Sequence, residues 1–231
     1  MKTIGLIGGM SWESSAVYYN LINTKVREKL GGFHSCKNVM VTVDFAEIEK
    51  LQHLDDWKAL DKMIVSSAKQ LEAAGVDFII LCTNTLHLCA PAIVENISVP
   101  FLHIAEATGL EIQKQGFKKV ALLGTKFTME KDFYKTFISG KYGIEVIIPE
   151  EEERNEIHRT IYEELVHGQI LDESREIFKG IIEKLEQKGA EGVILGCTEI
   201  PLLISDSDVN TPVFDTTTIH ADKAVEMALT N

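Results

Sequence analysis

Leu71-Glu72-Ala73-Ala74-Gly75-Val76-Asp77-Phe78-Ile79-Ile80-Leu81 returns 114 residues later as Leu185-Glu186-Gln187-Lys188-Gly189-Ala190-Glu191-Gly192-Val193-Ile194-Leu195. Each copy reads as a helix end, a glycine suited to the left-handed stop, and a short apolar strand. Two more echoes run in the same order. Lys2-Thr3-Ile4-Gly5-Leu6-Ile7-Gly8 is matched by Lys118-Lys119-Val120-Ala121-Leu122-Leu123-Gly124 at a displacement of 116, and Val99-Pro100-Phe101 by Thr211-Pro212-Val213 at 112. Three ordered matches at nearly one displacement imply two similar halves.

The rest of the chain fits that unit. Strands are expected at Ile4–Ile7, Val39–Val43, Phe78–Leu81, Val120–Leu123, Val146–Ile148 and Val193–Leu195. Helical stripes fall on Tyr18, Ile22, Val26 and Leu30; on Leu60, Ile64, Ser67 and Leu71; on Ile157, Ile161 and Leu165; and on Phe178, Ile181, Ile182 and Leu185. Gly31, Gly75, Gly168 and Gly189 sit where helix stops prefer glycine, and Glu150–Glu153 reads as a solvated helix entrance. Wholly apolar strands separated by helices indicate parallel sheets covered on both faces. The expected class is therefore α/β, in two pseudosymmetric lobes, each a parallel-type sheet flanked by helices. The proline-bearing echoes place the boundaries at residues 1–98 plus 212–231 for the first lobe and 99–211 for the second. Ligands of such sheets bind beyond the carboxyl ends of the strands, so the active site is expected in a cleft between the lobes.

Composition narrows the partners. The 231 residues carry 35 acidic against 23 basic side chains, a net charge of −12, which argues against a nucleic-acid partner. A small anionic ligand remains compatible, because backbone N–H groups supply local positive potential. No apolar stretch reaches the roughly 20 residues of a membrane span. The opening segment stops at Gly8-Gly9 and reads as a buried strand rather than a secretion signal. Cys36, Cys82, Cys89 and Cys197 form no CxxC pair, so free thiols and a soluble, cytoplasmic protein are expected. No His/Cys cluster has zinc spacing, there is no GxSxG elbow, and Gly5-Leu6-Ile7-Gly8-Gly9 is not a dinucleotide fingerprint.

The chemistry concentrates at two strand ends, Cys82-Thr83-Asn84-Thr85 and Gly196-Cys197-Thr198-Glu199. At the displacement of 114, Thr83 is the counterpart of Cys197, and Cys82 that of Gly196. A thiol on such a loop suits proton transfer at an acidic C–H, since nearby donors tune its ionisation; the alternative is a buried, inert cysteine. Cys36 and Cys89 read as structural.

At this point the chain resembles the aspartate/glutamate racemase family. The second family motif is intact as Val193-Ile194-Leu195-Gly196-Cys197-Thr198-Glu199-Ile200-Pro201, and the first appears as Ile79-Ile80-Leu81-Cys82-Thr83-Asn84-Thr85-Leu86-His87. Gly8-Gly9-Met10-Ser11-Trp12-Glu13-Ser14 matches the amino-terminal loop, and the likeness runs over nearly the whole chain. The resemblance implies a homodimer acting on a small acidic amino acid without pyridoxal phosphate or other cofactor, by a pair of thiols on opposite faces of the α-carbon. The second thiol, here Cys197, would serve the L-enantiomer.

One departure matters. The usual first motif has the thiol immediately before Asn, where this chain has Thr83; Cys82 stands one place early, and successive side chains of an extended segment point apart. Thr83 and Cys197 are therefore the expected catalytic pair, and catalysis should be lopsided, because a hydroxyl is a far weaker acid than a thiol. Met10, Gln52, Asn84, Thr85 and Thr198 are the expected substrate-binding residues. Asn84, Thr85 and Thr198 also suit helix capping, and Ser11 would offer a backbone N–H. Gln52 falls near an Arg of aspartate-specific relatives, and Val166-His167 replaces a Lys found in some, which points to broader acidic substrates. His167 reads as a substitute donor or a solvated helix end. Glu199 reads as the orienter of the Cys197 thiol or as a helix-start acid, and His87 as a supporting or packed residue. His103 and Asp215 occupy matching repeat sites. Two other readings stay open: a single-thiol decarboxylase or isomerase of the same superfamily, and a non-catalytic binder of acidic metabolites.

Overall fold

Strand and helix alternate in the computed structural model, which describes residues 1–230. The order is β1 (Ile4–Gly8), α1 (Trp12–Leu30), β2 (Asn38–Thr42), α2 (Phe45–His53), α3 (Trp57–Ala73), β3 (Phe78–Leu81), α4 (Ala90–Asn96), α5 (Ile104–Lys114), β4 (Lys119–Gly124), α6 (Lys126–Glu130), α7 (Asp132–Tyr142), β5 (Glu145–Ile147), α8 (Glu151–Glu163), α9 (Asp172–Gln187), β6 (Val193–Gly196), β7 (Val213–Asp215) and α10 (Thr216–Leu229). Short 3₁₀ turns occupy Thr85–Cys89, Leu165–His167 and Ile200–Leu202. The fold is α/β with parallel sheets.

The chain divides into two units, Met1–Ile104 with the segment from His220 onward, and Ala105–Ile219. In the first, the parallel order β2-β1-β3 puts β1 in the centre. Side chains alternate across it. Ile4, Leu6, Phe78 and Ile80 pack with Tyr18, Ile22 and Val26 of α1 and Ala221, Ala224 and Val225 of α10. Ile7, Ile79 and Leu81 pack on the other face with Ile48 of α2 and Leu60, Ile64 and Leu71 of α3. The second unit carries the parallel order β5-β4-β6-β7. There Ala121, Leu123, Val193 and Leu195 bury against Ile157 and Ile161 of α8 and Phe178, Ile181, Ile182 and Leu185 of α9.

The repeat holds at the level of strand register. Gly5, Leu6 and Ile7 stand opposite Ile79, Ile80 and Leu81. Their counterparts Ala121, Leu122 and Leu123 stand opposite Val193, Ile194 and Leu195. Even the edge is reproduced: Ile79 bridges Phe101, as Val193 pairs with Val213.

Those edges set the boundaries. The sequence placed the crossings at 98/99 and 211/212, whereas the units change at 104/105 and 219/220. The reason is hydrogen bonding. Ile79 N–H donates to Pro100 O (2.9 Å) and Leu102 N–H to Ile79 O (3.0 Å), binding the first proline segment to the first sheet. Val193 N–H donates to Pro212 O (2.9 Å), binding the second to the second sheet. Each crossing therefore follows its edge segment.

Helix stops and starts follow local chemistry. Gly31, Gly75, Gly168 and Gly189 all take positive φ, 73°, 77°, 72° and 94°. The acidic run opens α8 through a reciprocal capping box between Glu150 and Glu153. Among the described residues no helix is long and apolar enough to cross a membrane.

Candidate active site

The first unit gathers its candidates where β1 and β3 end side by side. After β1 the chain turns through Gly9, whose φ of 95° and whose absent Cβ, which would lie 2.2 Å from Val43 O, admit only glycine. Gly9 N–H donates to Ser15 Oγ (2.8 Å), and Ser11 Oγ accepts from Ser14 N–H (3.3 Å), capping α1. Met10 is buried in the cluster holding Ile48, Leu81 and Leu86. Gln52, 5% exposed, lies one turn beyond Ile48 on α2.

The β3 tip separates Cys82 from Thr83. Cys82 has no exposed surface and packs among Ile4, Tyr18, Leu102 and Ala221, and burial pushes its thiol far up. Thr83 is half-buried at the strand end. Asn84 and Thr85 are buried beside it, and the Asn84 side chain does not cap the 3₁₀ turn that follows. Two neighbouring side chains grip the tip. Ser14 Oγ donates to Cys82 O (2.8 Å), and His87 Nδ1 lies 2.8 Å from Thr83 O.

The second unit offers the β6 tip. Cys197 is half-buried; its Sγ donates to Glu199 Oε2 at 2.9 Å, and Thr198 Oγ1 donates to the same oxygen at 2.9 Å. Burial first, then the Glu199 charge and its hydrogen bond, hold the Cys197 thiol well above its ordinary value, while the Glu199 and Thr198 backbone donors oppose that rise. The resting sulfur is thus protonated at neutral pH, with its proton aimed at a carboxylate. Thr198 spends its hydroxyl on Glu199 rather than on a cap.

The remaining candidates take structural posts. Cys36 and Cys89 are buried; burial pushes the Cys36 thiol to about 11 and, with help from Asp61, moves Cys89 further up. His167 is exposed after α8. Asp215 caps α10, accepting from Thr217 N–H (3.0 Å), Thr218 N–H (3.3 Å) and Thr218 Oγ1 (2.6 Å). His103 stands with its ring centroid 4.6 Å from that of His87. Ser14, which ends the amino-terminal loop motif, and His220, which carries no local sequence signal, join this network from α1 and α10. Among the described residues no three His, Cys, Asp or Glu side chains are grouped to hold a metal.

In each sheet the candidate acid/base residue stands two places beyond equivalent strand residues, Leu81 and Leu195. Comparison with known proteins agrees with this architecture. The family model for Asp/Glu/Hydantoin racemase matches residues 7–224. Broad specificity amino-acid racemase RacX of Bacillus subtilis (strain 168) is 29% identical over 182 residues, covering 75% of this chain and 74% of that protein. The crystal structure of a candidate Asp/Glu racemase from Yersinia pestis is 48% identical, covers 100% of both chains and superposes with a TM-score of 0.95. An aspartate racemase homologue from Pyrococcus horikoshii OT3 is 40% identical, with a TM-score of 0.87 over 99% of each chain. A match of this extent, over a twofold-repeated α/β fold with its second thiol motif intact, makes the chain a member of the Asp/Glu/hydantoin racemase family.

Proposed function

We propose that this protein is a cofactor-independent amino-acid racemase that interconverts the L- and D-forms of aspartate, glutamate or both. Cys197 acts on the L-side and Thr83 on the opposite face of the α-carbon. The reading is supported above all by the equivalent register of the two strand tips, together with the 2.9 Å contact between Cys197 Sγ and Glu199.

The steps follow from the groups present. Glu199 takes the thiol proton as substrate binds, and the thiolate then removes the α-proton, forming S–H. The C–H electron pair moves into the substrate carboxylate as an enediolate. The Thr83 hydroxyl, or a water it holds, delivers a proton to the other face and regains one from solvent; Glu199 releases the surplus proton. Two groups fixed on opposite faces avoid any rotation of substrate during the carbanion's life. A threonine hydroxyl donates readily to a carbanion but hardly ever stands as an alkoxide. Proton transfer at the Thr83 face is therefore the harder of the two transfers. Because the enantiomers have equal free energy in water, kcat/KM must still match in both directions, so the cost of Thr83 appears in both.

Asn84, Thr85 and Thr198 are assigned to the substrate's carboxylate and ammonium groups, and Met10 and Ser11, at the β1 tip, supply further contacts on this reading. Gln52 meets the distal carboxylate with a neutral amide, which accommodates glutamate as well as aspartate; similarity to a broad specificity racemase supports a tolerant pocket. On the same reading the enzyme works in the cytoplasm as a homodimer, an assignment that rests on family likeness alone. Chiral chromatography after incubation with L-Asp, L-Glu and neutral L-amino acids tests the reading. D-aspartate or D-glutamate should form with wild type and not with Cys197→Ala. D-product at the wild-type rate from Cys197→Ala refutes it.

A further inference from the structure

We infer that His87 is a positioning residue for Thr83, fixing the direction of its hydroxyl through the peptide group that follows it. The inference rests on the acid/base role proposed above for Thr83.

The tautomer can be read from the partners. Ile104 N–H donates to His87 Nε2 at 3.1 Å, and a backbone amide has only a proton to offer. Nε2 is therefore bare, and the single proton of the neutral ring sits on Nδ1, donated to Thr83 O at 2.8 Å. The same residue closes its turn, His87 N–H donating to Asn84 O at 3.0 Å. On the other side of Thr83, Ser14 Oγ holds Cys82 O at 2.8 Å. Both peptide planes flanking the Thr83 α-carbon are thus pinned by side chains, which fixes φ and ψ and so the cone in which the hydroxyl swings.

The surroundings keep His87 in that form. Its side chain is 1% exposed, with ring centroids of Phe101 at 5.6 Å, His103 at 4.6 Å and His220 at 5.8 Å. Burial first, then the neighbouring imidazoles of His103 and His220, hold it well below the usual histidine range. The anchor at its far side, Ile104, is the last residue of the first unit before the chain crosses. An imidazole locked in one tautomer between a rigid helix start and the backbone carbonyl of Thr83 is suited to aiming, since misplacement of a reacting group by about 1 Å costs on the order of a hundredfold in rate.

Two substitutions separate aiming from packing. His87→Asn places an amide N–H near Nδ1 and gives up the Ile104 contact; His87→Gln places its amide near Nε2 and gives up the Thr83 contact. Racemisation of L-aspartate and L-glutamate is measured beside melting temperature, with Thr83→Ala as control. His87→Gln should lose at least about tenfold in kcat with KM within about twofold, and His87→Asn should recover kcat to within about threefold of wild type, although both melt lower. Loss of kcat in both variants in proportion to melting temperature, or in neither, overturns the inference. Wild-type kcat in Thr83→Ala overturns the Thr83 reading itself; loss there without loss in His87→Gln overturns the positioning role alone. Imidazole ¹⁵N shifts of the wild-type protein give a check that needs no variant: Nδ1–H is expected for His87, and Nε2–H contradicts the inference.

Discussion

Lowering the pH should strip the first unit of stability through its buried histidines, and His220 is the one whose share can be worked out. Its ring has no exposed surface, Nε2–H donates to Leu102 O at 3.0 Å, and Nδ1 accepts from Tyr18 Oη at 2.8 Å. Burial lowers it from 6.5 to about 4, only partly opposed by the Leu102 hydrogen bond. Between those values the unfolded chain binds a proton that the folded chain refuses, so stability is complete above about 6.5 and declines as pH falls toward 4. At about 1.4 kcal/mol per pKa unit, this group alone costs about 2 kcal/mol at pH 5 and about 3 kcal/mol at pH 4. That is a large share of the ~5–15 kcal/mol by which domains are stable. Both tryptophans, Trp12 and Trp57, lie in the first unit, so their fluorescence during urea unfolding reports it. His220→Gln keeps a donor for Leu102 but does not titrate. Wild type should lose about 2 kcal/mol more than this variant between pH 7 and pH 5. Parallel pH dependence of the two proteins, or a steeper loss in the variant, refutes the reasoning.

Glu199→Gln removes the charge that raises the Cys197 thiol while also removing its proton acceptor. Alkylation of Cys197 by iodoacetamide at pH 8 should accelerate and racemisation should slow; unchanged or slower alkylation contradicts the assignment. Cys82→Ala deletes a fully buried sulfur from the core, and should cost about 1–2 kcal/mol in urea unfolding while keeping kcat within about twofold. A loss of kcat comparable to that of Cys197→Ala would return the acid/base role to Cys82. Gly9→Ala forces a Cβ onto Val43 O at a φ of 95°, and should cost upward of about 3 kcal/mol, lowering the melting temperature by roughly 6–12 °C. A shift of under about 2 °C would show that the loop can move aside.

Strands with four or more consecutive apolar residues announce themselves in the sequence, and Phe78–Leu81 is the clearest of them. β7 has only Val213, Phe214 and Asp215, too few to show a pattern, and its pairing is what moves the second unit boundary. α10 buries Ala221, Ala224, Val225 and Ala228, small side chains whose faint stripe does not mark a helix in the sequence. α5 is obscured similarly by Ala105, Ala107, Thr108 and Gly109. The position of Thr83 was legible because the repeat fixes register, and a one-residue slip exchanges the two faces of a strand. Nothing local ties His87, His103 and His220 together. They meet only because three segments, from positions far apart in the chain, pack on the outer edge of β3.

The most direct measurement is the fate of the α-hydrogen. L-aspartate or L-glutamate with natural α-protium is incubated in deuterated water, and both enantiomers are isolated early in the reaction. Two fixed groups on opposite faces require D-product fully deuterated at the α-carbon while the remaining L-substrate keeps its protium. D-product that retains the original protium would mean a single group serves both faces, and the pairing of Thr83 with Cys197 would be wrong.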